Sequence, residues 1–359
     1  MLDTDKFIRN LIKHGYTHLC TVPCSFAKNL INASINYQDK LEYLPCASEA
    51  VACSIASGLS MSGKKPIVMV QSSGLTNMGS CITSLLNPYE ILFPIIVSWR
   101  TYAEGDSEIQ HKHLSSELPN LIEAYGYKSI ILKKDQIDVA IEQINSCNQD
   151  KFICLLEANT FSEVTLSDEN QLDLSKFPKR SKYLKELNSF IKSDELIIGT
   201  TGNTAREMYN YMPDTNNFYM AGNMGGALSI GLGAAMAGKK VIVCGGDAEF
   251  VMHLGGMTTS GRYRNLKLSY IIFDNESNKS TGGQKSYQDH LNYLEIAKAS
   301  GVLSTYEIKT IGEFKNFLKE TRDLNQMSVA RVKCSYDPMS PRPSLEKIKS
   351  SKKIFLFDS

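Results

Sequence analysis

Two short polar stretches, each at the end of an apolar run, carry residue types that could hold a metal ion and a phosphate group. The stretch Gly245-Gly246-Asp247-Ala248 follows the apolar run 241–244, and Asp274-Asn275 follows the run 268–273. Glycines let backbone N–H groups approach an anion closely, and carboxylate and amide oxygens are ligands that Mg²⁺ prefers. A glycine turn and an Asx turn without any ligand fit the same residues.

The elements around these stretches predict where they lie. Both apolar runs are predicted strands, and the segment 249–263 between them has a helical pattern. Parallel strands joined by a helix bring both polar stretches to the carboxyl edge of one sheet. We therefore expect Asp247, Asn275 and a main-chain carbonyl near Ser277 to form a protein half-shell for Mg²⁺.

The amino half of the chain shows the same alternation of strands and helices. Apolar runs at 41–46, 65–71 and 91–99 predict strands, with helical segments between them. The sequence thus predicts an α/β protein with a parallel α/β domain in each half.

Composition excludes several classes of function. The chain has 359 residues, 42% of them hydrophobic, and a formal net charge of +1, as expected for one or two soluble domains without a nucleic-acid or membrane partner. Its first residues lack the profile of a signal peptide. Nine cysteines occur without Cys-X-X-Cys pairs, so we expect reduced thiols and a cytoplasmic location rather than a zinc site.

The spacing from Gly246-Asp247 to Asn275 resembles the diphosphate–metal motif of thiamine diphosphate enzymes. The continuation Ser280-Thr281-Gly282-Gly283-Gln284 and the stretch Val22-Pro23-Cys24-Ser25-Phe26 are similar to phosphonopyruvate decarboxylases and their sulfopyruvate decarboxylase relatives. The resemblance covers nearly the whole chain. It implies two thiamine diphosphate-binding-fold domains, each a parallel sheet flanked by helices: a pyrimidine-binding domain at 1–161, a linker at 162–181 and a diphosphate- and Mg²⁺-binding domain at 182–359.

The resemblance also implies which residues hold the cofactor. Glu49 would activate it through a protonated carboxyl bonded to a pyrimidine nitrogen, Met224 would be the apolar wedge that bends it, and the carbonyl of Gly222 would accept its amino group. The other implied contacts are Ser73 and Gly74 at the pyrimidine, Thr201, Gly202, Gly246 and Ala248 at the diphosphate, and Asp247, Asn275 and Ser277 at the metal. Without the resemblance, Glu49 is explained by the helix dipole and Met224 by the core.

The substrate side is predicted from polar residues in the amino half and near Gln284. Ser25 is an expected helix N-cap or, alternatively, a contact for an anionic substrate. In the polar stretch 101–113, His111 is a candidate proton donor and Arg100 a candidate anion-binding residue, although solvated histidines are common in such loops. The cations expected to bind the distal anion are Arg100, Lys112, Lys279 and Lys285.

The reaction implied by the resemblance is decarboxylation of an anionic 2-oxo acid with thiamine diphosphate and Mg²⁺, most simply phosphonopyruvate to phosphonoacetaldehyde. Sulfopyruvate decarboxylation and transfer to an acceptor carbonyl are the alternatives. Many family members have Ser-Met-Gly-His where this chain has Asn223 and Gly226, a departure that bears on the substrate. The missing histidines at Gly226 and Asn278 favour transfer, because fewer acids remain to supply a proton. A dinucleotide-binding module is disfavoured because no Gly-X-Gly-X-X-Gly follows a strand. A homo-oligomer is expected, with each site between the Glu49 domain of one subunit and the Asp247 domain of another.

Overall fold

The computed structural model describes residues 1–106, 108–213 and 215–356, which form two α/β units. The first unit contains Met1–Gln171 and Thr281–Lys285, and the second contains Leu172–Ser280 and Ser286–Ser359. The division therefore falls inside the predicted linker 162–181. Residues 214 and 357–359 of the predicted second domain lie outside the described residues, as does Ser107 of the predicted polar loop.

The first unit has six parallel strands in the order β2-β1-β3-β4-β6-β5. The strands are β1 (His18–Thr21), β2 (Glu42–Pro45), β3 (Pro66–Gln71), β4 (Ile95–Ser98), β5 (Lys128–Ile131) and β6 (Phe152–Leu156). The helices are α1 (Thr4–Lys13), α2 (Lys28–Asn36), α3 (Glu49–Met61), α4 (Ser72–Asn77), α5 (Gly79–Cys81), α6 (Lys112–Ala124) and α7 (Ile137–Ser146), with a π-helical turn at Ile82–Leu86.

The second unit also has a six-stranded parallel sheet, in the order β13-β14-β10-β9-β7-β8. Its strands are β7 (Glu195–Gly199), β8 (Asn217–Tyr219), β9 (Lys240–Gly246), β10 (Leu268–Asp274), β13 (Ser304–Ile308) and β14 (Ser328–Lys333), while the two-residue strand β11 (Ser277–Asn278) lies outside the sheet. The two-residue strand β12 (Gln284–Lys285) belongs to the first unit and also lies outside the six-stranded sheets. Its helices are α8 (Arg180–Phe190), α9 (Asn203–Tyr211), α10 (Ala227–Met236), α11 (Asp247–Met252), α12 (Leu254–Arg262), α13 (Tyr293–Ala299), α14 (Ile311–Thr321) and α15 (Leu345–Ser351).

Both sheets have the same topology. When the six sheet strands of each unit are numbered from its first, both orders become 2-1-3-4-6-5. The predicted α/β class with a parallel sheet in each half of the chain is thus confirmed.

The central strands of the second sheet are buried on both faces. Val243 and Tyr270 belong to the hydrophobic core on one face, whereas Cys244, Ile271 and Phe273 belong to the core on the other. Because side chains alternate along a strand, a sheet between two helical layers needs apolar residues at nearly every position. This explains the continuous apolar runs before Asp247 and Asp274.

One predicted helix is interrupted in the structure. The helix expected at 249–263 breaks at His253, whose φ of −124° and ψ of 52° are not helical. Helix α13 begins at Tyr293, where the Asn292 side chain caps it by accepting a hydrogen bond from the Glu295 N–H. Each helix within the described ranges is too short or too polar to cross a bilayer.

A buried ion pair joins α8 to α9 in the second unit. Arg180 donates to both carboxylate oxygens of Glu207, at 2.9 and 2.7 Å, and the two residues are only 4% and 1% exposed. Two parallel N–H···O bonds satisfy both charged groups. Removal of either residue would therefore leave the other as a buried charge without a partner.

Arg180→Met should therefore lower the free energy of unfolding by about 3–5 kcal/mol, because it strands the Glu207 carboxylate. The double variant with Glu207→Leu should recover most of that loss. Chemical denaturation of both variants measures the difference, with Lys240→Met as a control that breaks an exposed pair with Asp194. Equal destabilisation in the single and double variants would contradict the interpretation.

A second buried ion pair closes the loop after β4 in the first unit. Arg100 donates to Asp106 through Nε at 2.8 Å and Nη2 at 2.7 Å, and Asp106 also accepts from the backbone N–H groups of Thr101 and Glu108. Burial alone would raise the pKa of Asp106, but these four donors hold it well below its ordinary value. The ionised carboxylate is therefore part of the folded loop.

Asp106→Asn should reduce stability at pH 7 by about 1.5–3 kcal/mol, since hydrogen bonds to a charged group are lost. The folded pKa of Asp106 is depressed, so its stabilising contribution is present above the unfolded pKa of about 3.9 and is lost as pH falls below it. The difference from wild type in denaturation midpoint should thus shrink between about pH 4 and pH 2. Asp135→Asn, in an exposed pair with Lys133, is the matched control. A difference that stays constant down to pH 2 would refute the role of the charge.

Candidate active site

The carboxyl of Glu49 is buried at the start of α3. Ser48 caps the helix by accepting from the Val51 N–H, and Glu49 is the first helical residue, with 4% exposure. The Asn77 amide donates to Glu49 Oε2 at 2.9 Å. A side-chain carbon at Gly74 would lie 2.6 Å from Oε1, so only glycine at this position lets α4 approach the carboxyl.

Two buried hydroxyl groups lie at the carboxyl ends of β3 and β4, in the same unit as Glu49. The hydroxyls of Ser72, the first residue of α4, and Ser98, the last residue of β4, have no hydrogen-bond partner among the described residues. Ser73, a predicted cofactor contact, accepts from Gln71 Nε2 at 2.6 Å. Unsatisfied buried hydroxyls are rare, and at the edge of a parallel sheet they are available to a ligand.

Ser25 does not cap a helix, contrary to the prediction. It is itself the first residue of a 3₁₀ turn (Ser25–Ala27), and Cys24 occupies the cap position without a side-chain capping bond. Ser25 Oγ instead accepts from Arg100 Nη1 at 3.1 Å, and the Arg100 guanidinium lies 4.3 Å from the ring centre of Phe26. The cap was predicted from local spacing, whereas the actual partner comes from a loop 75 residues away.

The residues of the first unit that were predicted to contact the substrate lie in different surroundings. Arg100 is 5% exposed and already engages Asp106, with Glu108 3.8 Å away. His111 ends a 3₁₀ turn with its Nε2 3.5 Å from Gln110 Nε2, and Lys112, the next residue, is exposed. Lys285 donates to the Glu169 carbonyl at 3.3 Å.

In the second unit, strand register brings the predicted metal ligands to one edge. Phe273 of β10 pairs with Gly246 of β9, so Asp274 and Asp247, the next residues, leave adjacent strands side by side. Asp247 is the first residue of α11, is 4% exposed, and accepts from the Ser286 hydroxyl at 2.9 Å. Burial and the neighbouring Asp274 carboxylate raise the pKa of Asp247 to about 7.

The Asp274 carboxylate is neutralised by two cations from β14. Arg331 donates to Oδ2 at 2.8 Å through Nε, and Lys333 lies 3.1 Å from the same oxygen. Lys333 also binds Glu276, which has a left-handed φ of 53°. The charged pairs therefore fix the start of the loop that presents the next predicted ligands.

The loop after Asp274 orients two predicted ligands by an Asx turn. Asn275 Oδ1 accepts from the Ser277 N–H at 3.1 Å, and both residues are buried. The Ser277 hydroxyl is buried without a partner among the described residues. Lys279, a predicted substrate contact, lies with its Nζ 4.7 Å from the ring centre of Tyr336.

A glycine-containing turn after β7 places two further predicted cofactor contacts of this unit, Thr201 and Gly202. Gly202, with a φ of 78°, follows Thr201 and turns the chain into α9. The buried side-chain oxygen of Asn203, the first residue of α9, has no partner among the described residues. These residues follow β7, so they lie at the carboxyl edge of the same sheet.

The turn 222–226 contains two left-handed residues. Asn223 has a φ of 57° and Gly225 a φ of 93°. The Asn223 amide occupies the place where a side chain on Gly226 would begin, which explains why Gly226 has none. Gly222 has open space around its α-carbon, and Met224 is half-buried.

Glu249 is a buried acid next to Gly246 that the sequence did not mark as a site residue. Glu249 Oε2 accepts from the Gly246 N–H and from the Tyr270 hydroxyl, each at 3.2 Å. Burial raises the pKa of Glu249 to about 7. A side-chain carbon at Gly245 would collide with both Glu249 and Tyr270. The available signal was a second acid in the first turn of α11, but acids are common in the first turn of a helix, so burial could not be inferred from it.

Comparison with known protein families finds two matching domains in this chain. The N-terminal thiamine pyrophosphate-binding domain of thiamine pyrophosphate enzymes matches residues 4–119, and the C-terminal thiamine pyrophosphate-binding domain matches residues 198–332. The first matched segment lies within the first unit, and the second lies in the second unit except for Thr281–Lys285.

Three characterised relatives are similar over large parts of their length. Phosphonopyruvate decarboxylase of Streptomyces viridochromogenes is 26% identical, covering 89% of this chain and 85% of the relative. Sulfopyruvate decarboxylase of Methanosarcina acetivorans is 27% identical and covers 97% of each. Sulfopyruvate decarboxylase subunit beta of Methanocaldococcus jannaschii is 36% identical, covering 41% of this chain and 80% of the relative. The chain belongs to the thiamine diphosphate-dependent enzymes, in the group that contains the phosphonopyruvate and sulfopyruvate decarboxylases.

Proposed function

We propose that the chain catalyses the decarboxylation of an anionic 2-oxo acid, with phosphonopyruvate giving phosphonoacetaldehyde and CO₂ as the leading reaction and sulfopyruvate as the alternative substrate. The observation that carries the proposal is the buried Glu49 carboxyl, with glycine alone over Oε1. Similarity to decarboxylases of both substrates over most of the chain supports the reaction type.

The residues at the edge of the second sheet fit a magnesium diphosphate. Asp247, Asn275 and the Ser277 carbonyl would hold Mg²⁺, and a cation there would favour the ionised form of Asp247, whose pKa is raised by burial and by Asp274. Backbone N–H groups of Ala248, Thr201 and Gly202 would hold the diphosphate. Gly246, whose N–H already donates to Glu249, would let the diphosphate approach the backbone closely. The buried, unpartnered side-chain oxygens of Ser277 and Asn203 add polar groups at this edge.

The pyrimidine end would be held by residues from both halves of the sequence. Asn77 already binds Glu49 Oε2, which leaves Oε1 to carry the proton that bonds to the ring nitrogen. Ser73 and Gly74 would line the ring, the Gly222 carbonyl would accept the amino group, and Met224 would support the bend. When bound, thiamine diphosphate would supply the nucleophilic carbon and accept the electron pair that is left behind when CO₂ departs.

The distal anion of the substrate would be bound by the cations near the two loops. Lys112 is exposed and Lys279 and Lys285 are partly exposed, so all three can reach a phosphonate or sulfonate. Arg100 and Ser25 form a second candidate contact, at which a substrate anion would have to exchange with Asp106 for the guanidinium. His111 is the proposed proton donor on this side.

We further propose that the chain works as a homo-oligomer, with the Glu49 unit of one subunit and the Asp247 unit of another contributing to each site. One relative is named as a subunit of sulfopyruvate decarboxylase, so related domains work in a multichain enzyme.

Calorimetric titration tests the cofactor site. Wild-type protein should bind thiamine diphosphate only when Mg²⁺ is present, and Asp247→Asn should weaken this binding by more than about 100-fold because it removes the sole carboxylate ligand. Asp194→Asn, in an exposed ion pair of the same unit, should bind as wild type does. Magnesium-independent binding, or unchanged binding by Asp247→Asn, would contradict the proposed ligand set.

Assays of CO₂ release test the reaction. Phosphonopyruvate should be turned over with kcat/KM at least about tenfold above that for sulfopyruvate or pyruvate. Glu49→Gln should lower kcat by about 100- to 1,000-fold, because the amide cannot provide the carboxyl proton. A preference for sulfopyruvate would move the assignment to the alternative substrate. Absence of CO₂ release from all three acids by cofactor-loaded protein would reject the decarboxylase function, and aldehyde acceptors added to the assay reveal a transferase.

A further inference from the structure

Glu249 accepts hydrogen bonds from two neighbouring strands at the carboxyl edge of the second sheet. Its Oε2 binds the Gly246 N–H at the end of β9 and the Tyr270 hydroxyl of β10, each at 3.2 Å. A glutamate in the first turn that accepts from the N-cap N–H is a common helix cap, and such a cap needs no burial. Glu249, however, is only 4% exposed and Tyr270 only 1%. Burying a carboxyl costs free energy, which capping alone does not explain.

Two further donors lie close to the same carboxyl. Burial raises the pKa of Glu249 to about 7, whereas four hydrogen-bond donors act to lower it. They are the N–H groups of Gly246 and Ala227 and the hydroxyls of Tyr270 and Thr200. Thr200 Oγ1 and Glu249 Oε1 are both buried without a hydrogen-bond partner among the described residues. The carboxyl is therefore surrounded by donors, with one oxygen that is not yet bound.

The donors near Glu249 come from segments that are distant in sequence. Thr200 begins the turn after β7, and Gly246 ends β9 immediately before α11. Ala227 is the first residue of α10, directly after the turn 222–226. The carboxyl is thus a shared neighbour of three segments that carry predicted cofactor contacts. Those contacts are Thr201, Gly202, Gly222, Met224, Asp247 and Ala248.

Packing around the carboxyl leaves it little freedom to move. A side-chain carbon on Gly245 would lie 2.5 Å from the Tyr270 ring and would collide with Glu249 Oε2. The Phe250 ring stacks on Tyr270, with the ring centres 6.3 Å apart. The Tyr270 hydroxyl is therefore held in one place, and it fixes the oxygen that also accepts from Gly246.

We propose that Glu249 is a positioning residue, which holds the turns after β7 and β9 and the start of α10 in the arrangement that binds a magnesium diphosphate. This role rests on the proposed cofactor site. Glu249 does not contact the ligand; it sets the directions of the Ala248, Thr201 and Gly202 N–H groups. Several backbone donors must point at a diphosphate together, because a hydrogen bond weakens steeply as its geometry departs from linear.

Calorimetric titration with two ligands tests this role without catalytic turnover: thiamine diphosphate and inorganic pyrophosphate, each with Mg²⁺. Glu249→Ala should weaken the binding of both by the same factor, about 10- to 100-fold, as is usual when a group that orients a ligand-binding residue is removed. Glu249→Gln should recover most of that loss, because its amide oxygen still accepts from the Gly246 N–H. Phe314→Leu, in the core on the other face of the sheet, should lower the denaturation midpoint yet bind both ligands as wild type does.

Tyr270→Phe keeps the ring and removes only the hydroxyl, so it tests the role even if Glu249→Ala does not fold. It should weaken the binding of both ligands, but less than Glu249→Ala does. The double variant Glu249→Ala/Tyr270→Phe should bind no more weakly than Glu249→Ala alone, because the hydroxyl acts through the carboxyl.

Several results would overturn the positioning role and leave the cofactor site standing. They are wild-type affinity in Glu249→Ala or in Tyr270→Phe, additive losses in the double variant, and an equal loss in Phe314→Leu. Weaker binding of thiamine diphosphate with unchanged binding of pyrophosphate would also overturn it, because a role at the diphosphate affects both ligands. If wild-type protein binds neither ligand with Mg²⁺, the cofactor site itself is rejected, and the role of Glu249 with it.

Discussion

Buried negative charge at one edge of the second sheet is the constraint on which the site depends. Asp247, Asp274 and Glu249 are each at most 4% exposed, and an ionised carboxylate is costly to bury without compensation. Asp274 is compensated by Arg331 and Lys333, whereas Asp247 and Glu249 receive hydroxyl and backbone donors and have pKa values of about 7. This edge of the sheet therefore favours a bound cation. The ion pairs of Asp274 with Arg331 and Lys333 hold the loop after β10, which would also contact that cation.

The two units share one topology but carry their buried acids after different strands. Both have the strand order 2-1-3-4-6-5, so the carboxyl ends of their strands offer equivalent sets of loops. In the first unit the acid follows the second strand and begins a helix of small residues; in the second it follows the third strand. Loops can change while the sheet beneath them stays, because the strands are held by apolar residues on both faces.

The sequence predicted those features that depend on local pattern. The apolar runs at 41–46, 65–71 and 268–273 were predicted as strands, and each observed strand begins and ends within one residue of the predicted bounds. The placement of Asp247 and Asn275 after adjacent strands followed from the same kind of apolar run. Features that depend on distant partners were missed. The bond from Arg100 to Ser25, the pairing of Asp106 and the break at His253 depend on how loops fold back, and no residue spacing encodes them.

The contact between Asn223 and Gly226 makes these two positions interdependent during evolution. With Asn223 present, a side chain at 226 would meet its amide, so the effect of a substitution there depends on whether that amide moves aside or is itself replaced. Asparagine also tolerates the left-handed backbone at 223 better than most residues, so its replacement carries a separate cost. The two positions are therefore expected to be non-additive, since the cost of a residue at 226 depends on which residue occupies 223.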